Sequence, residues 1–134
     1  MRDLLPVVAL CLVAAILLMV FMWWRLRSRD RLSAAAQREL RAQWKHAQSL
    51  QDPVRRVLEA EKVIDRLLQA LGYTGSFGDK LKAAGPRLPN LDALWSAHKL
   101  RNHLAHVPGA TVSNGDANRA LAAFQKTYTR FVRD

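Results

Sequence analysis

The most pronounced pattern in the chain is an uninterrupted apolar run near its N-terminus. From Leu4 to Trp24, 21 residues follow one another without a charged side chain. At about 1.5 Å of rise per residue, a helix of this length crosses a hydrocarbon core of roughly 30 Å. Pro6 falls in the first turn, where its missing N–H group costs no hydrogen bond, and Trp23 with Trp24 suits a membrane interface. Residues 1–24 are therefore predicted to form a transmembrane anchor.

A cleaved secretory signal is the alternative interpretation of this run. Such a signal has a positively charged leader, a shorter apolar region and a cleavage site of small residues directly after it. Here Arg2 is balanced by Asp3, and the small residues at 33–36 lie beyond a charged segment, RLRSRDR. A retained anchor is the favoured interpretation.

Residues 25–45 are predicted to form a basic juxtamembrane helical stalk. This segment is rich in Arg, Ala, Gln and Glu, and its few large apolar side chains include Leu32, Leu40 and Trp44. Such a composition favours a helix but gives it little apolar surface to bury. The stalk either continues the membrane helix or docks Leu40 and Trp44 on the domain that follows.

Helical periodicity dominates the sequence from residue 46 onward. Asp52 and Pro53 supply an N-cap and a first-turn proline, and Gly72 stops the helix that they begin. Glu59, Lys62 and Arg66 are assigned to the polar face of that helix. Its apolar positions recur at helical spacing, at Val54, Val57, Leu58, Ile64, Leu67, Leu68 and Leu71.

Three further helices are predicted after Gly72. Their starts are marked by Ser76 with Asp79, by Asn90, and by Ser113 with Asp116. No segment after the anchor alternates between apolar and polar residues, so no sheet is predicted. The predicted fold class is all-α, with an N-terminal single transmembrane helix, a helical stalk and a small helical bundle over residues 46–134.

The position of the charged residues predicts a membrane topology, and their excess of positive charge favours anionic partners. Among 134 residues, 21 Lys and Arg stand against 11 Asp and Glu, a net charge of +10. Arginines follow the apolar run directly, at Arg25, Arg27, Arg29 and Arg31. Because Lys and Arg in short flanking segments set orientation, the C-terminal part is expected in the cytoplasm and the N-terminus outside. The same arginines would also suit anionic lipid head groups or nucleic acid.

The bundle itself is basic as well. From Lys45 onward the chain has 14 Lys and Arg against 8 Asp and Glu, a net charge of +6. This excess favours a polyanion, and it equally suits the surface of an anionic membrane. The aromatic residues of the bundle fall mostly at core positions of the predicted helices, which argues against a base-stacking surface.

The helix after Asn90 carries the candidate chemistry, in WSAHKLRNHLAH. At 100° per residue, one stripe is apolar and is predicted to face the core: Ala93, Ala97, Leu100, Leu104 and Val107. A second stripe holds Trp95, His98, Asn102 and His106, with Arg101 beside it. These side chains are predicted to converge on one wall, with Trp95, His98 and Lys99 supplying binding contacts.

A metal site on this helix is disfavoured by the spacing of its histidines. His98 and His103 are five residues apart and face different directions, although His103 and His106 could share an ion. The only cysteine, Cys11, lies in the apolar run, so neither a disulfide framework nor a cysteine-based metal site is expected. No metal and no cofactor is predicted.

Two other interpretations of the wall remain open. In phosphodiester chemistry a histidine moves a proton while an arginine holds the phosphate, and Arg101, Asn102 and His106 supply these groups. Alternatively the side chains are structural, with Asp65 or Asp92 holding Arg101 in a buried ion pair.

The residues RNHLAH resemble the motif of HEPN domains, an arginine followed after four to six residues by a histidine. Arg101, Asn102 and His106 match its arginine, adjacent polar residue and histidine. Further stretches, KVIDRLLQALGY, FGDKLKAA and LWSAHKLRNHLAH, are similar to a group of small bacterial HEPN-like proteins, some of which are membrane-anchored. The resemblance implies a helical bundle that forms homodimers with facing motifs and acts as a metal-independent ribonuclease. In that activity Arg101 would hold the scissile phosphate, Asn102 would orient it, and His106 would be the acid or base.

Many HEPN-like proteins instead serve as partners or regulators. The favoured function is therefore a membrane-anchored module at the bacterial inner membrane that binds RNA, a nucleotide or a protein partner through this wall. The alternative is the endoribonuclease.

Overall fold

The computed structural model describes residues 4–28 and 31–133, and the chain divides into two compact units, with the boundary in the sequence between Arg31 and Leu32. The first unit contains helix α1, Leu4–Ser28. Its stretch Pro6–Trp24 is long and apolar enough to cross a membrane, and none of it is buried. A signal sequence has the same properties. The leader residues Arg2 and Asp3, together with Arg29 and the side chains of Arg25 and Arg27, lie outside the described residues.

The second unit is built only of helices, which confirms the predicted all-α class. Five α-helices follow one another: α2 (Ala34–Ser49), α3 (Pro53–Ala70), α4 (Phe77–Ala84), α5 (Leu91–His106) and α6 (Asn114–Phe131). A single 3-10 turn at Gly85–Arg87 separates α4 from α5. In the described part of the chain no residue is in a β-strand. Helix α3 is central and packs against α2, α4, α5 and α6.

Most helix boundaries follow from local chemistry. The side chain of Asp52 caps α3, and Ser76 with Asp79 forms a reciprocal capping box at the start of α4. Helix α3 ends in a Schellman motif, in which the Gly72 N–H bonds to Gln69 and the Tyr73 N–H to Leu68. Gly72 has φ of 90°, a backbone conformation that glycine adopts without strain.

Asn90 departs from its predicted role as a side-chain cap. It occupies the N-cap position of α5, but its side chain makes no capping hydrogen bond there. Instead Asn90 Nδ2 donates to the carbonyl of Ala123 at 3.0 Å, and Thr127 Oγ1 donates to Asn90 Oδ1 at 3.1 Å. The side chain thus links the start of α5 to α6, because two buried polar groups on α6 compete successfully for it.

Replacing Asn90 by alanine should therefore destabilise the second unit. Thr127 is completely buried, so its hydroxyl would lose a partner that water cannot replace. The expected loss in free energy of unfolding is about 1 to 3 kcal/mol, measured by urea unfolding of the full chain in detergent. Asn118→Ala on the exposed face of α6 is the control and should be nearly neutral. Equal effects of the two substitutions would contradict this role of Asn90.

The segment predicted as a stalk supplies α2 of the bundle. Leu32, Leu40 and Trp44 are all buried, and the Trp44 ring stacks on Tyr128 at 4.8 Å between centroids. Of the two possibilities left open by the sequence, docking of Leu40 and Trp44 is the one observed. The compact unit accordingly starts at Leu32 and not at residue 46.

The buried face of α5 differs from the predicted apolar stripe. Leu94, Ala97 and Leu104 are buried, whereas Ala93 is exposed and Val107 is 43% exposed. The predicted stripe contained no charged side chain. The face is instead rotated toward Arg101, because α3 provides a buried carboxylate that faces α5.

Candidate functional site

The site begins with a carboxylate in the apolar stripe of α3. Glu61 follows Val57 by four residues and precedes Ile64 by three, so it shares the face of α3 that forms the core. Its side chain is only 5% exposed. A carboxylate this deep is tolerated only with charged or hydrogen-bonding partners.

Helix α5 provides two partners for Glu61. His98 Nδ1 lies 2.9 Å from Glu61 Oε2 and forms a hydrogen bond with it. Arg101 Nε lies 3.1 Å from Glu61 Oε1, but the N–H does not point at that oxygen, so this contact is an ion pair without an aligned hydrogen bond. The predicted buried ion pair of Arg101 is therefore present, with Glu61 in place of Asp65 or Asp92.

Asn102 connects the two partners of Glu61. Arg101 Nη1 donates to Asn102 Oδ1 at 3.2 Å, and Asn102 Nδ2 lies 3.1 Å from His98 Nε2. Glu61, His98, Asn102 and Arg101 thus form a closed ring of polar contacts, called here the α3–α5 ring. Three of its members come from a single stretch of α5, where residues three and four apart lie on one side of the helix.

Burial raises the pKa of the Glu61 carboxyl group above its ordinary value, although the His98 hydrogen bond and the charge of Arg101 oppose this shift. With a raised pKa, the native state binds this proton more tightly than the unfolded state. The contribution of Glu61 to stability is then full below the ordinary carboxyl pKa and is lost as the pH rises through the native value.

A comparison of the wild-type chain with Glu61→Gln tests the direction of this shift. Because glutamine does not titrate, the Tm of the variant should improve relative to wild type as the pH rises from about 4 to about 6. Thermal unfolding of the full chain in detergent, followed by circular dichroism, measures the difference. If the Tm of Glu61→Gln instead fell relative to wild type over this pH range, the ring would be shown to lower the pKa of Glu61.

Aromatic side chains form one border of the ring. The His98 imidazole lies 5.0 Å from the Phe77 ring and 5.9 Å from the Trp95 ring, centroid to centroid. A Cβ atom on Gly78 would lie 3.4 Å from the Trp95 ring. That is an ordinary van der Waals distance, so the indole lies against the first turn of α4 and borders the His98 imidazole.

A second buried ion pair lies beside the ring. Lys80 Nζ contacts Asp65 Oδ1 at 2.8 Å, and the side chains are 6% and 35% exposed respectively. This pair fixes α4 against α3. It also occupies Asp65, one of the two carboxylates that the structural interpretation offered as partners of Arg101.

An open cavity of about 520 Å³ lies in front of the ring. Its walls come from α3, from the segment Gly75–Gly78 and from α5. Of the ring, Glu61, His98, Arg101 and Asn102 all line it, and Lys62 and Arg66 extend its wall along α3. In the described part of the chain, Lys62 pairs with Glu59 at 2.7 Å, whereas no acidic side chain pairs with Arg66.

The predicted site residues divide into two groups. Arg101, Asn102 and His98 come together at the cavity, and Trp95 contacts His98 from its aromatic border. His106 and Lys99 are exposed and do not line this cavity. The imidazole beside Arg101 and Asn102 is therefore that of His98, because His106 is the last residue of α5, one turn beyond the cavity.

No metal centre is found over residues 4–28 and 31–133. No group of three or more His, Cys, Asp and Glu side chains is placed so that it could hold an ion. Cys11 is exposed on α1.

The sequence prediction missed Glu61, Lys80 and Gly78 as parts of the site. A signal was present for the first two, because Glu61 interrupts the apolar stripe of α3 and Lys80 shares the stripe of Phe77 and Leu81. Charged residues at core positions are rarely buried without partners. Gly78 lines the cavity but carries no such signal, because a glycine in the first turn of a helix does not indicate which residues far along the chain will face it.

Comparisons with protein-family models, with curated proteins and with solved structures found no significant match to this chain.

Proposed function

We propose that α1 is a retained anchor and that the bundle faces the cytoplasm at the inner membrane of a bacterium. The leader has no excess of positive charge, whereas arginines cluster directly after the apolar run. That distribution is typical of an anchor with its N-terminus outside. Mass spectrometry of the full chain from membranes would find the N-terminal peptide intact, and cleavage near residue 33 would contradict the proposal.

The bundle is proposed to be a HEPN-like module that binds RNA or a nucleotide in the cavity on the α3–α5 ring. The observation that carries this proposal is the placement of Arg101 and Asn102, the arginine and polar residue of the HEPN-like motif, side by side on the wall of an open cavity. A cavity of this size accepts a small ligand or one nucleotide of a strand.

Electrostatics support an anionic ligand. Both acidic residues that line the cavity already have cationic partners, Glu61 in the ring and Asp65 with Lys80. Arg66 and part of Arg101 remain directed to solvent, the latter with a side chain that is 27% exposed. A guanidinium group donates several hydrogen bonds in one plane, which suits the oxygens of a phosphate.

The binding test uses the full chain in nanodiscs of zwitterionic lipid and a fluorescent single-stranded RNA. Arg66→Gln should raise the Kd by about five- to tenfold, the loss expected for a contact of about 1 kcal/mol made by a solvent-exposed side chain. Arg55→Gln is the matched control, because Arg55 is exposed on the same helix and does not line the cavity. It changes the net charge equally and should alter the Kd less than about twofold. Equal losses would indicate nonspecific attraction and contradict a site in the cavity.

An endoribonuclease is the second candidate function, and it is favoured by the pairing of an imidazole with a buried carboxylate. The contact between His98 and Glu61 is the arrangement by which a carboxylate orients a histidine for proton transfer. Cleavage of unstructured RNA in EDTA is the measurement. His98→Ala should abolish it, His103→Ala should not, and His106→Ala tests the motif histidine separately. If His98→Ala still cleaved RNA, His98 would be excluded as the proton carrier.

A further inference from the structure

The direction of every hydrogen bond in the α3–α5 ring can be derived from Arg101 alone. A guanidinium group only donates, so Asn102 Oδ1 must accept from Arg101 Nη1. The amide nitrogen of Asn102 then faces His98 and must donate, so His98 Nε2 must accept. A neutral imidazole that accepts at Nε2 carries its proton on Nδ1, and that proton points to Glu61 Oε2.

We infer that Glu61 is a positioning residue that holds neutral His98 as the Nδ1–H tautomer and so makes Nε2 the hydrogen-bond acceptor on the wall of the cavity. The ion pair between Glu61 and Arg101 closes the ring. Only one assignment of donors and acceptors satisfies all three hydrogen bonds of the ring. Neutral imidazole in water prefers the other tautomer, with the proton on Nε2. The ring therefore imposes a form that His98 would not adopt by itself.

The tautomer narrows the chemical class of the ligand. Asn102 covers Nε2 with a side-chain amide, a contact that a ligand O–H or N–H group can replace. Arg101 stands beside it and attracts an anionic oxygen. The ligand class that fits, if the proposed function holds, is a phosphate ester with a hydroxyl or amino donor next to the phosphate.

Ring-nitrogen NMR of the full chain in nanodiscs, with ¹⁵N-labelled histidine, tests the tautomer directly. At a pH where the imidazoles are neutral, His98 should show a protonated Nδ1 and an unprotonated Nε2. His46, His103 and His106 are exposed and serve as internal references for the ordinary preference. His98→Gln assigns the signals by removing one set. A wild-type His98 with its proton mainly on Nε2 would overturn the inference, whatever the variants do.

The role of Glu61 is separated from general stability by a matched pair of variants. Glu61→Leu keeps an apolar stem of similar length but removes both the acceptor of the Nδ1 proton and the anionic partner of Arg101. Arg101 then no longer fixes the Asn102 amide, which can reverse, and His98 should shift toward the Nε2–H form. Glu59→Leu, on the same helix and outside the cavity, should leave the tautomer unchanged. An unchanged tautomer in a folded Glu61→Leu chain would show that Glu61 does not position His98.

Three probes separate this inference from the proposed function. Adenosine 3′-monophosphate carries the hydroxyl and the phosphate, its 2′-deoxy analogue lacks the neighbouring hydroxyl, and adenosine lacks the phosphate. The 2′-deoxy analogue should bind about tenfold more weakly than the ribose form, the loss expected for one buried hydrogen bond. Equal affinities would overturn the acceptor role of Nε2 while leaving the proposed function intact. Failure of both phosphorylated probes to bind would instead count against the proposed function and leave the tautomer result standing.

Discussion

Replacing Trp44 by alanine should lower the free energy of unfolding of the second unit by about 3 to 5 kcal/mol, the cost of removing a buried tryptophan. Trp44 is 6% exposed and stacks on Tyr128, so the substitution removes ring contacts and leaves a cavity between α2 and α6. Urea unfolding of the full chain in detergent, followed by circular dichroism, gives the value. A loss this large means that the segment after the arginine cluster is part of the folded bundle.

Lys45→Ala is the control for this experiment. Lys45 is the next residue of α2 and is exposed, so its removal should change the free energy of unfolding by less than about 0.5 kcal/mol. If Trp44→Ala cost no more than the control, α2 would not be packed as described and the segment would act as a free stalk.

Asp65→Asn should produce the second large effect, because it leaves the ammonium group of Lys80 buried without an anionic partner. Removal of one member of a buried ion pair costs more than the pair contributes, since the remaining charge is desolvated. The side chain of Asp65 is 35% exposed, so water screens part of the loss. The expected decrease is about 2 to 3 kcal/mol, below the value for a fully buried pair.

The double variant Asp65→Asn with Lys80→Met tests this explanation. Methionine keeps the apolar stem of the lysine and removes the charge, so the double variant should regain most of the stability that Asp65→Asn loses. If the losses in free energy of unfolding from the two single substitutions simply added in the double variant, the two side chains would not be coupled. Binding of the RNA probe by the double variant then shows whether the pair serves the cavity or only the fold.

The helices themselves could be predicted from the sequence because their signals are local. Asp52, Ser76 and Ser113 each accept a backbone hydrogen bond within three residues, and Gly72 ends α3 within the same range. The place of α2 could not be decided in this way. Its docking depends on Tyr128, a partner far along the chain, and the composition of the segment alone suits a solvated helix equally well.

Only the part of the candidate site that lies on a single helix could be predicted from the sequence. His98, Arg101 and Asn102 lie within five residues of α5, so helical spacing brings them together. Glu61 belongs to another helix, and its role depends on how α3 and α5 pack. His106 satisfies the spacing, but the cavity ends one turn before it, and a helical projection does not show where a cavity ends.

A crosslink map tests most directly whether RNA binds in the cavity of the α3–α5 ring. A single-stranded RNA with 4-thiouridine is irradiated with the full chain in nanodiscs, and the modified peptides are identified by mass spectrometry. Crosslinks are expected in Gly75–Gly78 and around Trp95–Asn102, and they should disappear when adenosine 3′-monophosphate competes. Crosslinks confined to the arginines that follow the apolar run, or to α6, would contradict a binding site in the cavity of the α3–α5 ring.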